Sequence, residues 1–101
     1  MPHRFSLFLL AALAVAAQPR KLTVLPENPL LFGQGATQRL VVLAEFPDGV
    51  SRDVTAETRF SSTGPAATVS ATGIVTANAN GAARVTARYQ ALSAQTTALV
   101  Q

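Results

Sequence analysis

The sequence predicts an all-β domain, a sandwich of two antiparallel sheets with about seven strands. Three observations carry this: short runs of alternating apolar and polar residues, turn formers between them at roughly ten-residue intervals, and almost no helical periodicity past residue 17. A helix repeats its apolar positions every three to four residues, whereas a half-buried strand alternates every second one.

The first 17 residues are set apart. Met1 to Arg4 is a short basic region, residues 5–17 are apolar except for Ser6, and Ala14-Val15-Ala16-Ala17 supplies small residues for cleavage. This is the pattern of a secretory signal peptide, cut after Ala16 or Ala17. The apolar run holds 13 residues, short of the roughly 20 that a spanning helix needs, so no transmembrane span is expected once the signal is removed. Two units follow: a signal peptide at 1–17 and one domain at 18–101.

Within the domain, Lys21 to Leu25 reads as the first strand. It is closed by Pro26-Glu27-Asn28-Pro29, whose prolines lack the donors that pairing requires. Leu30 to Phe32 resumes pairing briefly, as in a first strand split between two sheets. Gln38 to Phe46 is the longest candidate, with Leu40, Val42, Ala44 and Phe46 facing the core and Arg39, Val41, Leu43 and Glu45 facing out. Pro47-Asp48-Gly49 marks a tight turn, and Val50 to Val54 forms its hairpin partner. Asp53-Val54-Thr55 supplies side-chain oxygens for backbone amides at a bend. Thr58 to Ser61 is a short strand with Phe60 inward. Ala67 to Ala71 and Ile74 to Ala77 flank the Thr72-Gly73 turn as a hairpin. After Asn78 to Gly81, Ala83, Val85, Ala87 and Tyr89 alternate with Arg84, Thr86, Arg88 and Gln90, so the uncharged set faces inward. Gln95 to Val100 is the last strand.

Composition excludes several functions. The chain contains no cysteine, so neither disulfides nor thiol chemistry enters, and stability rests on packing and sheet hydrogen bonds. The single histidine, His3, lies in the signal segment, so no Ser-His-Asp arrangement and no histidine metal site can form in the domain. Positions 18–101 carry seven Arg and Lys against five Asp and Glu, a weak positive bias. The arginines are scattered rather than clustered with stacking aromatics, which argues against nucleic acid. Asp48 and Asp53 flank one turn, but lack the dense oxygen spacing of a calcium loop and read as local backbone acceptors. No catalytic residue, cofactor or metal is expected.

Leu40-x-Val42-x-Ala44, Asp48-Gly49, Asp53-Val54-Thr55, Thr72-Gly73-Ile74-Val75-Thr76-Ala77 and Gly81-x-Ala83-x-Val85-x-Ala87 occur in series. In that order and spacing the sequence resembles a bacterial immunoglobulin-like domain of group 2, over roughly residues 22–100. The wording from Phe46 to Thr55, with Ala87-Arg88-Tyr89, further resembles the copy near the N-terminus of large exported proteins of planctomycetes and similar bacteria. The resemblance implies an immunoglobulin-like sandwich without shared catalytic residues. It also implies a secreted, periplasmic or cell-surface location of the kind known for adhesins and intimin-like proteins.

The expected function is therefore a non-catalytic exported module. It would be a structural spacer, or an interaction domain for a surface protein, a polysaccharide or a neighbouring domain. Val41 and Leu43, apolar and outward, and Arg84 and Arg88, on a polar face, are the candidate interaction surface. The alternative is a truncated N-terminal portion of a larger exported enzyme or cytochrome-containing protein.

Overall fold

The computed structural model describes residues 18–101; the signal segment expected at 1–17 lies outside them. The described chain forms ten strand segments and one turn of 3-10 helix. They are β1 (Lys21–Leu25), β2 (Leu30–Leu31), β3 (Thr37–Arg39), β4 (Val41–Glu45), β5 (Ser51–Asp53), the helical turn (Thr55–Glu57), β6 (Arg59–Thr63), β7 (Ala67–Val69), β8 (Ile74–Ala77), β9 (Gly81–Tyr89) and β10 (Leu92–Val100).

One layer of the sandwich is the four-stranded sheet β2-β10-β9-β6. The other contains β1-β4-β5 and β3-β8-β7, joined because β3 and β4 are separated only by Leu40. The Leu40 amide still pairs with the carbonyl of Gly73 at 2.8 Å. A single chain path thus pairs first with β8 and then with β1 and β5, which accounts for part of the excess over the seven strands expected. The split first strand adds another segment. β1 pairs antiparallel with β4, and β2 crosses to pair parallel with the end of β10.

The Pro26–Pro29 crossover is fastened by Thr96, one of two buried polar residues among those described. Its Oγ1 accepts from the Asn28 amide at 2.7 Å and donates to the Pro26 carbonyl at 3.1 Å.

Two expectations need correction. The longest strands are β9 and β10, nine residues each, rather than the segment from Gln38 to Phe46. The last strand also begins at Leu92, not Gln95, because the chain reverses directly after Tyr89. Gln90 makes that reversal with φ of 54°, a left-handed conformation in which side chains other than Gly, Asn and Asp are uncommon. No glycine advertises this turn, and so the β9–β10 hairpin is missed by turn composition.

The core lies between the layers and is built of small side chains: Leu40, Val42, Ala44, Val54, Ala67, Val75, Val85, Ala87 and Ala98 are all at most 1% exposed. Leu40, Val42, Ala44 and Phe46 are buried as the alternation predicts, and Phe60 packs against this cluster from its edge. Alanine and valine let the layers approach closely, which favours the dense packing on which a disulfide-free domain depends.

Candidate functional site

Asp48 and Asp53 act locally. The Asp48 carboxylate accepts from the Val50 amide at 3.0 Å, which closes the turn after Pro47. Asp53 Oδ1 accepts from both the hydroxyl and the amide of Thr55, at 2.6 and 2.9 Å. Those two bonds, the hydroxyl's first, hold the Asp53 carboxyl below its ordinary value. Thr55 Oγ1 in turn accepts from the Val42 amide at 2.8 Å. The bend after β5 is thereby bonded to the central strand of its sheet, the arrangement expected for Asp53-Val54-Thr55. Among the described residues no group of three or more His, Cys, Asp or Glu side chains comes together.

Open hollows on the surface of the described residues include the following two. One, of about 360 Å³, runs between Lys21–Val24 of β1 and Ala94–Thr96 of β10, where the layers gape at their edges. The other, of about 520 Å³, is lined by Arg39, Asp53, Thr55, Ala56, Ala71 and Thr72. Its one carboxylate is already held by Thr55, so it offers no free acid or base pair for chemistry.

The four residues singled out in sequence do not share a surface. Val41 and Leu43 occupy the outward face of β4, as the alternation predicts, and both are half-buried because β4 is flanked by β1 and β5. Arg84 and Arg88 are exposed on the outward face of β9, in the other layer. Tyr89 is buried at 7% exposure and belongs to the core.

The outward face of β2-β10-β9-β6 is the more distinctive surface. Pairing places Arg59 of β6 directly opposite Arg88 of β9, Ser61 opposite Thr86, and Thr63 opposite Arg84. On the other side of β9, Ser93, Gln95 and Thr97 of β10 face the same three positions. At one end of this face Leu30, Phe32 and Leu99 are exposed, Phe32 to 69%. Arg59 was missed as a surface residue because its neighbour Arg88 is 29 positions away and only strand pairing joins them. The exposed Leu30 and Phe32 were legible only as strand residues.

These observations define a class: a small all-β sandwich with an apolar core, two aspartates bonded to local groups, and outward faces made of polar, charged and scattered apolar side chains. The match of residues 20–100 to the bacterial Ig-like domain (group 2) places the chain in that family. The family is one of non-catalytic Ig-like modules that typically occur in extracellular or surface proteins and often mediate protein interactions. No curated protein matches this sequence. No helix of the described residues is long and apolar enough to cross a membrane.

Proposed function

We propose that this chain is a non-catalytic exported module. Residues 1–17 are its cleaved signal peptide, and residues 18–101 are a sandwich that spaces, or binds, components of the cell surface. The observation that supports this most is the family match, which spans nearly every described residue. The basic start and 13-residue apolar run of residues 1–17 support the export half of the reading. A rigid sandwich suits the role because its faces hold outward side chains at fixed spacing and lose little freedom on contact with a partner.

The test is to express the full chain in a bacterium, fractionate the cells and determine the N-terminus of the recovered protein. A product outside the inner membrane that begins at Ala17 or Gln18 is expected. An unprocessed chain retained in the cytoplasm overturns the export reading.

A second reading, the N-terminal portion of a larger exported enzyme or cytochrome-containing protein, is favoured by one observation. Leu30, Phe32 and Leu99 are exposed together on one face, and an adjoining domain would remove that apolar surface from water. A transcript whose reading frame continues past codon 101 into a second domain supports it, and a stop codon there opposes it.

A further inference from the structure

The outward face of β6, β9 and β10 carries a grid of nine polar side chains in three rows. Arg59, Arg88 and Ser93 form the first row, Ser61, Thr86 and Gln95 the second, and Thr63, Arg84 and Thr97 the third. Seven of the nine are exposed, and Thr86 and Thr97 are half-buried. Adjacent strands lie about 4.8 Å apart and rows of one face about 7 Å apart, so the grid covers roughly 10 by 13 Å.

Its charge is of one sign. All five side-chain carboxylates, Glu27, Glu45, Asp48, Asp53 and Glu57, lie outside β6, β9 and β10. The sheet nevertheless sets Arg59 directly against Arg88, a cross-strand pairing of like charges that costs stability. Three guanidinium groups present forked donors suited to carboxylate, and the five hydroxyls and one amide between them donate or accept. Among the described residues only one side-chain hydrogen bond joins members of the grid, from Gln95 Nε2 to Thr86 Oγ1 at a long 3.4 Å. Most of this hydrogen-bonding capacity is thus turned outward.

We propose that this face binds an anionic polysaccharide whose sugars bear carboxylate groups. This names the partner class for the interaction module proposed above, and rests on that reading. The arginines take the carboxylates, and the Ser, Thr and Gln side chains exchange hydrogen bonds with sugar hydroxyls. Charge complementarity selects an anion, and the interleaved hydroxyls select a polyhydroxylated one. An anionic lipid surface is the weaker fit, because peripheral insertion needs apolar side chains among the cations and Leu30, Phe32 and Leu99 sit at one end instead. Single-stranded nucleic acid is disfavoured because no aromatic ring lies within the grid for bases to stack on.

The full chain, purified in the form that bacterial processing leaves it, is titrated with polygalacturonate, with neutral dextran and with phosphatidylglycerol vesicles, at low and raised salt. Circular dichroism monitors folding throughout. Binding to polygalacturonate that weakens with salt and exceeds binding to dextran and to the vesicles is expected. The triple variant Arg59→Gln, Arg84→Gln, Arg88→Gln should lose about tenfold or more in affinity, a change of about 1.4 kcal/mol per tenfold, while keeping its fold. A control with the same loss of charge elsewhere, Arg20→Gln, Lys21→Gln, Arg39→Gln, should bind within about twofold of the parent, since screening limits the reach of distant surface charges. Three results overturn the proposal: no binding to polygalacturonate by a folded chain, equal loss in the control, or preference for the vesicles. The first leaves the exported-module reading standing, whereas a chain that is neither folded nor exported removes both.

Discussion

The two outward faces of the sandwich obey the same alternation and carry opposite designs. On β1-β4-β5, Lys21 faces Glu45, Thr23 faces Leu43, Leu25 faces Val41, and Leu43 also faces Asp53. Charges of both signs meet there, aliphatic side chains cover one another, and Val41, Leu43 and Glu45 are half-buried. On β6-β9-β10 the charges are all positive, two of them directly opposed, and the central arginines are exposed. The first face is internally balanced. The second leaves its charge uncompensated, and a surface that pays for repulsion without an internal counter-ion is the better place to look for a partner.

The deepest way to break the comparison is to remove the core that both faces share. Leu40, fully buried where β3 passes into β4, is among the largest such side chains in a core that no disulfide reinforces. Leu40→Ala is expected to cost about 2–5 kcal/mol, read as a lower urea midpoint, and to weaken both layers together. A loss confined to one layer would show that the two are not one cooperative unit.

Thr96→Val tests how the layers are tied. It removes the hydroxyl that bonds the Asn28 amide and the Pro26 carbonyl while keeping nearly the same shape. A loss of about 1–3 kcal/mol is expected, since two hydrogen bonds each worth about 0.5–1.5 kcal/mol are removed together. Amide exchange should quicken around Asn28 before it does in β9.

Sharpening the contrast between faces requires smaller changes. Arg59→Gln relieves the repulsion with Arg88 and should raise stability by about 0.2–1 kcal/mol at low salt, a gain that shrinks as salt screens the pair. On the other face, Glu45→Gln removes a carboxylate set against Lys21 and should lower stability slightly or leave it unchanged. A melt in which both substitutions act in the same direction would end the argument that the faces differ in balance.

The smallest effect is that of pH on Asp53. Its folded carboxyl is held below the unfolded value by the Thr55 hydroxyl and amide. Its contribution is therefore fully present above the unfolded value near 4, and is lost as pH falls through the lower folded value. Because Asp53 is exposed, the effect should be a slight fall in melting temperature on acidification that is reduced in Asp53→Asn.

Much of the fold is legible because alternation is a local property. The buried set in β9, the inward Leu40, Val42, Ala44 and Phe46, and the Asp53–Thr55 bend all follow from residues within a few positions of one another. The split first strand shows in its prolines for the same reason. What escapes is whatever depends on distant partners or on unusual backbone. Gln90 turns the chain without a glycine, so the start of β10 is hidden. Thr96 reads as one more strand threonine until Asn28, 68 residues away in sequence, is brought against it.

The candidate surface divides in the same way. That Arg84 and Arg88 point outward from one strand is decided by the two-residue period alone, and so is the outward direction of Val41 and Leu43. That these pairs lie on opposite layers, and that Arg59 stands beside Arg88 in a face free of carboxylates, is decided only by the tertiary structure. Alternation is written in each strand's own side chains, whereas register and layer are chosen by the burial of the whole core, which no single strand contains.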